Sequence, residues 1–558
     1  MIRLLMTLLL AAASVPAVAA LQVFATVPEW GALVREIGGD KVSVFAATTA
    51  LQDPHRIQAR PSLLAQARRA DLVVATGADL EVGWLPLVIR DSGNADIQPG
   101  RPGHFEAARF VTLLDVPVVV DRSQGDVHAA GNPHIQLDPR NLFRIGEALT
   151  VRMGELENVE RNRDKSLGVS VYLGQRRGNA STSDFSPAAI RQTVQAAYDI
   201  ARFTAEDPAA GPPDADDLAT PEEAARDLDL FHPWAIDAAA AAEIARRCEA
   251  AALGVDKRIT NSEGAGVSAQ QAHFWAGNTR GFRGGYASSR HYISVSPIAG
   301  RGKAMQRDAW YSSMRDAADL AAPEAVGRYA AERALSRLKS RRVATAEVPV
   351  LFESTVAAGL LGAFVQATSG GALYRKASFL VDCLGQPVLA PHVDIREDPH
   401  QPKGKGSAPF DDEGVRTRPR TVVDGGVVQG YFLSSYSARK LGMKTTGHAG
   451  GSQNLAMTSR LTQPGDDLPA MLRKLGRGLF VTELMGQGVN YVTGDYSRGA
   501  AGFWVEGGHI VHPVHEVTIA GHLREMFKGI TAIGADVYCQ GSKSIGSVLV
   551  RRMKLAGA

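Results

Sequence analysis

The stretch Thr482 to Gly508, TELMGQGVNYVTGDYSRGAAGFWVEGG, limits the possible folds more than any other part of this chain. It sets seven glycines among Tyr491, Tyr496, Phe503 and Trp504. Glycine forfeits side-chain packing and loses the most backbone freedom on folding, so a dense run among aromatics requires close backbone approach, either to other backbone or to a bound chain. Tight turns joining antiparallel strands satisfy that requirement. So does a surface that handles peptide.

At 558 residues the chain exceeds one core, and a norm of roughly 100 to 200 residues per domain gives three units or more. Lys+Arg 61 against Asp+Glu 58 leaves +3 with no long basic run, which points to neither nucleic acid nor a membrane surface. Cys248, Cys383 and Cys539 are far apart and odd in number, so they make no disulfide framework and no local Cys-x-x-Cys site; they read as small buried hydrophobes. Residues 1–20 carry Arg3, an apolar run from Leu4 to Ala13 and small residues Ala17 to Ala20, the pattern of a secretory signal peptide. No segment reaches the length of about 20 apolar residues that a transmembrane helix needs.

From residue 21 to 149 short apolar strands (Val23 to Val27, Val42 to Ala46, Leu72 to Ala75, Val118 to Val120) alternate with helical stretches such as Trp30 to Ile37 and Pro61 to Arg69. Alternation of this kind predicts an α/β lobe with a parallel sheet. His55 in DPHRIQARPS and His134 in NPHIQLDP, with His128 nearby, stand in loops where imidazoles suit a divalent metal. With ADLVVATGADLEVGWLP and DVHAAGNPHIQLDPRN, this text resembles the first lobe of the zinc/manganese solute-binding proteins of ABC transporters. The resemblance implies that His55 and His134 are metal ligands and that a second lobe supplies the others. The second lobe does not follow, so the lobe is truncated and only weak zinc or manganese binding is expected.

The rhythm changes at residues 149–154 without a linker. Residues 150–342 read as an α+β domain: strands at Leu167 to Leu173 and Gly178 to Thr182, then a helix in SPAAIRQTVQAAYDIARFT with Ser186 as N-cap, Pro187 in its first turn and a face of Ile190, Val194, Ala197, Ile200 and Ala201. Helices at Ile236 to Leu253 and Ala321 to Lys339 flank strands within Thr260 to Ser296. Residues 343–558 are mostly β, with strands at Val348 to Phe352, Phe379 to Cys383, Val422 to Val428, Val514 to Ala520 and Ser547 to Met553, and one helix at Ser354 to Thr368.

DKRITNSEG (Asp256 to Gly264), PFDDEGVRTRPR (Pro409 to Arg420), SSYSARKLGMKTTGHAGG (Ser434 to Gly451) and the glycine-rich stretch resemble the TldD/TldE family of metalloprotease-related proteins, in its TldE (PmbA) branch. The resemblance implies a subunit that pairs with a zinc-bearing TldD-like partner to enclose a chamber for unfolded or modified peptides. In TldD a His-Glu-x-x-x-His helix holds zinc and the general base. The corresponding residues here are Gly362-Ala363-Phe364-Val365-Gln366-Ala367, with Gly362 and Ala367 at the histidine positions and Ala363 at the glutamate. No side chain in this segment can ligate a metal or take a proton from metal-bound water, so the body is expected to bind no cofactor and to be non-catalytic alone.

Other motifs stop short. His515-Glu516 lacks a closing histidine, His509, His512 and His515 alternate faces on a strand, and KGKGS lacks P-loop spacing. Polar residues in glycine-rich text, His448, Asp495, Tyr496, Ser497 and Arg498, are candidates to line a peptide channel, with strand edges pairing to substrate backbone; alternatively Asp495 and Arg498 pair to fix a turn. The expected whole is multidomain: a truncated α/β parallel-sheet lobe, then a two-domain α+β and mostly-β TldE-like body, joined as a gene fusion or an assembly join. The body belongs in the cytoplasm by resemblance, and a functional signal peptide would send the chain to the periplasm. Three functions fit: a peptidase-complex subunit, a periplasmic zinc/manganese-binding protein of an ABC transporter with an incomplete site, or a self-sufficient protease, which the segment Gly362 to Ala367 opposes.

Overall fold

The computed structural model describes residues 20–48, 57, 60–77, 80–110, 149–159 and 164–557. They fall into two units, Met1–Glu147 with Glu160–Ser166, and Ala148–Val159 with Leu167–Ala558. His55, His128, His134 and the strand expected at Val118 to Val120 lie outside the described residues.

In the first unit β1 (Leu21–Ala25), α1 (Pro28–Gly38), β2 (Val42–Ala46), α2 (Pro61–Arg69), β3 (Leu72–Ala75), α3 (Leu85–Ser92) and β4 (His104–Glu106) alternate. The strands form one sheet in the order β2-β1-β3-β4, paired in parallel throughout. Each helix has a proline in its first turn, where the missing N–H has no partner to lose. Successive residues of β1 bury opposite faces: Phe24 packs with Trp84 and Val88, while Val23 and Ala25 pack with Trp30 and Leu80. Both faces are therefore covered, as a parallel sheet requires.

The second unit begins with β5 (Leu149–Arg152), β6 (Glu155–Val159), β7 (Leu167–Leu173), β8 (Arg176–Thr182) and α4 (Pro187–Phe203). Ser186 caps α4, accepting from the Ala189 N–H. The face expected for α4 is corrected: Thr193, Ala197 and Ala201 are buried, whereas Val194 and Ile200 are exposed. The reason lies in β8, where a Cβ on Gly178 would stand 1.9 Å from the Ala197 carbonyl oxygen. The hairpin presses on the helix backbone, so only small side chains fit beneath it.

Next come α5 (Ala238–Leu253), β9 (Ile259–Gly277), β10 (Arg283–Ala299), β11 (Gln306–Arg307), β12 (Trp310–Met314) and α6 (Pro323–Ser336). The sheet order is β11-β10-β9-β5-β6, with β12 also on β10. Its core sets Val267, Ile293 and Val295 against Ala245, Cys248, Ala330 and Ala334 of α5 and α6. Small residues let the two helices close on each other and on the sheet.

The remainder holds β13 (Ala346–Phe352), α7 (Ser354–Ala367), α8 (Gly370–Tyr374), β14 (Val393–Glu397), β15 (Arg420–Asp424), β16 (Val427–Val428), α9 (Ser435–Lys440), β17 (Leu455–Ser459), α10 (Leu468–Leu475), β18 (Gly478–Met485), β19 (Asp495–Glu506), β20 (His509–His522), α11 (Leu523–Lys528), β21 (Ile530–Ile533), β22 (Tyr538–Gln540), β23 (Lys543–Ile545) and β24 (Val548–Ala556). One sheet runs β13-β18-β19-β20-β24-β21, and β13 also pairs with β24, so five of its strands close on themselves. The other runs β16-β15-β14-β17-β23-β22. The strand expected at Phe379 to Cys383 is instead a run of turns. Asp382 there takes a positive φ of 56°, which interrupts extended backbone.

Candidate functional site

Helix α7 occupies the core that the two C-terminal sheets share. Its sequence, STVAAGLLGAFVQA, is apolar on nearly every side, and Ala357, Leu360, Leu361, Ala363, Phe364 and Ala367 are buried against Ile395, Met457, Ala500 and Ile519. A helix with no polar stripe has to be enclosed. Ala363 is 3% exposed and Ala367 fully buried, so these positions face packed core. Gly362 is half-buried, and the one neighbour a Cβ there would meet is Cε of Lys543, at 3.7 Å. Burial lowers the Lys543 ammonium from its usual range. At the positions where the TldD resemblance puts two zinc ligands and a base, this chain therefore presents two core methyls and a glycine beside a cation.

Lys543 lies on the β22–β23 hairpin, where Gln540 pairs with Lys543 and Cys539 with Ser544. Directly opposed residues share a face, so Cys539 and Lys543 point to opposite sides. The reading of all three cysteines as buried is corrected for one of them: Cys248 and Cys383 are buried, Cys539 is exposed. Cys539 sits on a short edge strand, which leaves its side chain uncovered. Among the described residues no group of three or more His, Cys, Asp or Glu could hold a metal.

His448 is buried in a polar network. Its Nε2 lies 2.9 Å from Oε2 of Glu397, and its Nδ1 lies 2.9 Å from the Thr446 hydroxyl. Arg420 donates from Nε to the same Glu397 oxygen at 2.7 Å and stands over the Phe432 ring. The Gln453 N–H donates to Oε1 of Glu397 at 2.7 Å. Burial works to raise the Glu397 carboxyl, but His448 and Arg420 outweigh it and hold the group below its usual value; burial lowers His448 and keeps it neutral. The network ties β14 to the loop after α9. Its place in the structure is interior, with the His448 side chain 2% exposed.

The Asp495–Arg498 segment lies on β19. Asp495 and Ser497 are exposed, Tyr496 is 4% exposed and Arg498 half-buried. Asp495 accepts from the Thr493 hydroxyl at 2.6 Å. On the opposite face, the Tyr496 hydroxyl and Arg498 Nε are buried without a hydrogen-bond partner. The segment's backbone is occupied on both sides: β20 pairs along one, and on the other the Ser497 N–H donates to the Gly488 carbonyl at 2.6 Å while the Asn490 N–H donates to the Asp495 carbonyl at 2.8 Å. Peptide cannot pair with this edge; only side chains remain available. The glycines serve the chain's own strands, since a Cβ on Gly488 would stand 1.7 Å from the Ser497 oxygen and one on Gly502 1.9 Å from that of Phe480.

Four residues escaped sequence reasoning. Lys543 had no motif to mark it. Glu397 and Arg420 sit apart in sequence, although PFDDEGVRTRPR ends on Arg420. Asp411 in the same motif is 3% exposed and accepts from the Glu413, Val415 and Ala449 N–H groups, each at 2.9 Å, while burial pushes its carboxyl up to about 7. The motif's two acids, DD, were the available signal.

The fold and its motifs have clear relatives. Family models described as the PmbA/TldA metallopeptidase domain 1, central domain and C-terminal domain match residues 144–201, 231–338 and 345–557. Metalloprotease PmbA of Escherichia coli O157:H7 is 49% identical over 412 residues, covering 74% of this chain and 90% of that protein. This chain belongs to the PmbA/TldD metallopeptidase family. The PmbA homolog of Haemophilus influenzae is 46% identical over the same shares. Among solved structures, a proposed modulator of DNA gyrase from Bacteroides thetaiotaomicron is similar at TM-score 0.68 and 26% identity, covering 74% of this chain and 92% of that one. TldE from Thermococcus kodakarensis has the same fold at TM-score 0.62 and 18% identity, over 74% of this chain and 94% of that one. At the N-terminal end, overlapping the first PmbA/TldD match over residues 144–164, a model for the periplasmic zinc-uptake component ZnuA matches residues 23–164. Two families thus meet in one chain.

Proposed function

We propose that residues 150–558 act as the TldE-like subunit of a TldD–TldE metallopeptidase complex that cleaves unfolded or modified peptides, with zinc held by the TldD-like partner. The observation that carries this reading is α7. In a chain 49% identical to Metalloprotease PmbA, positions 362, 363 and 367 offer neither a metal donor nor a proton acceptor, and two of the three are packed into core. Zinc held by the partner would supply the Lewis-acid chemistry of peptide hydrolysis. This chain contributes peptide-facing surface, for which Asp495, Ser497 and Arg498 remain candidates through their side chains. His448 acts from the interior by holding the Glu397–Arg420 loop in place.

The test is metal content and peptide cleavage by the purified chain, with and without a TldD-like partner. Chelator-sensitive cleavage only in the presence of the partner is expected. Turnover by this chain alone, or zinc bound at α7, refutes the reading.

The ZnuA match favours a second reading, in which the N-terminal lobe binds zinc or manganese weakly through His55 and His134 after export by a signal peptide. Retained zinc that is lost on replacing both histidines with alanine supports it. The two readings place the chain in different compartments, the cytoplasm for the body and the periplasm for the lobe. A fusion of two genes accounts for both, and a peptide spanning Arg144 to Glu160 from the expressed protein tests it.

A further inference from the structure

Where the central sheet meets the C-terminal domain, three cationic side chains come together without an acid. Arg290 on β10 donates from Nη2 to the Lys405 carbonyl at 2.8 Å. Arg315, just past β12, donates to the same oxygen at 3.2 Å and to the Gly404 carbonyl at 2.9 Å. The Lys405 ammonium donates to the Cys539 carbonyl at 3.2 Å, which brings β22 to the cluster. Among the described residues, the hydrogen bonds of Arg290, Arg315 and Lys405 go to backbone carbonyls and reach no carboxylate. Their electrostatic neighbours are one another, the exposed Cys539 thiol and the phenols of Tyr311 and Tyr286.

Such an arrangement is costly when empty. Unpaired charge removed from water is disfavoured, and burial lowers Arg290 and Lys405 and brings Arg315 down to about 10. Donor capacity is left over as well. A guanidinium carries five N–H donors and an ammonium three, yet Nε of Arg290 is buried with no partner. A compact oxyanion supplies both the missing charge and the missing acceptors, and a carboxylate matches the guanidinium fork.

We propose that Arg290 and Lys405, beside Cys539 and with Arg315 fixing their loop, form a carboxylate site for a bound peptide, filled by the peptide's C-terminus or by an acidic side chain. The carboxylate as the anion rests on the peptide-handling function proposed above; the cluster itself does not.

Calorimetric titration of the full chain tests the site with acetyl-trialanine as the free acid, the same peptide as its amide, an amidated peptide with one internal glutamate, and inorganic phosphate. The free acid, the glutamate peptide or both bind at least tenfold more tightly than the neutral amide, which also identifies the source of the carboxylate. Their affinity falls as salt rises. Lys405→Gln loses at least tenfold while Lys405→Arg restores binding, with unfolding midpoints measured alongside. Equal binding of neutral and anionic peptides, no binding of any carboxylate, an unchanged Lys405→Gln variant, or phosphate binding more tightly than every carboxylate overturns the site. Partner-dependent cleavage is measured separately: if it persists while anionic peptides gain nothing, the site fails and the subunit function stands.

Discussion

Introducing a His-Glu-x-x-x-His pattern into α7 tests whether the packing at these positions leaves room for a zinc site. The triple change Gly362→His, Ala363→Glu and Ala367→His creates the pattern in sequence. In the structure, Ala363 and Ala367 are 3% and 0% exposed and touch core on every side. Forcing extra atoms into a packed core costs about 1 to 3 kcal/mol at each position. A carboxylate at 363 adds several kcal/mol more if it stays charged and unpaired, or else it is protonated and useless as a base. The two sites are one helical turn apart and do not add strictly, but a total near 5 kcal/mol or above is about the whole stability of many domains. Gly362→His alone points toward Lys543 at a half-buried position and should leave the unfolding midpoint close to wild type. Urea unfolding followed by tryptophan fluorescence, with bound zinc measured in parallel, decides the matter. The expected result is loss of folding in Ala363→Glu and in the triple variant. A triple variant with the wild-type midpoint and one zinc per chain refutes the argument.

Arg333 on α6 bridges to the carboxylate of Glu353 at the start of α7 at 2.7 Å, with both side chains nearly buried, so Arg333→Ala should cost about 3 kcal/mol in denaturant unfolding by leaving that carboxylate with the Thr355 hydroxyl but no charge partner. Gly178→Ala should destabilise by about 1 to 3 kcal/mol because its Cβ meets the Ala197 carbonyl, whereas Gly168→Ala, with nothing within 4 Å, should leave the melting temperature nearly unchanged. Acid should weaken the fold in two stages. Neutral His448 has a folded pKa below 6.5, so the unfolded chain binds the extra proton and stability falls as pH drops below that value; Glu397, held below 4.5, adds a second loss as pH drops further. Melting temperature against pH from 7 to 4 should fall less steeply in His448→Gln, and an unchanged slope removes His448 as the cause.

Much of the architecture was legible because periodicity and punctuation agree locally. Pro61 to Arg69, Leu72 to Ala75 and Leu167 to Leu173 form the expected elements at the expected residues. Errors arose where a contact distant in sequence decides. Nothing in SPAAIRQTVQAAYDIARFT shows that Gly178 will press on Ala197, so the exposed Val194 and Ile200 could not be foreseen. Phe379 to Cys383 is apolar enough for a strand, but its Ser378 hydroxyl donates to the Ala367 carbonyl and holds the segment in turns at the end of α7. That positions 362, 363 and 367 carry glycine and alanine is plain from the letters. The burial of Ala363 and Ala367 is not, because an alanine in an apolar helix fits a cleft wall as well as a core.

The glycine-rich stretch shows how the same letters serve a different end from the one first suggested. Its glycines allow β18, β19 and the Gly486 to Gly494 turn to approach without side chains between them, and this closes the strand ring on which α7 rests. Closure removes strand edges, which protects against unwanted pairing and equally denies a peptide that route. Under the subunit role proposed above, peptide contact at this end of the molecule has to use side chains. The buried, unpartnered Tyr496 hydroxyl and Arg498 Nε stand on the inner face, while Asp495 and Ser497 face solvent. Charge reversal at Asp495 should therefore alter peptide preference in the partner-dependent cleavage assay without shifting the unfolding midpoint. Arg498→Ala should shift both, because its guanidinium reaches into the packed side of the sheet.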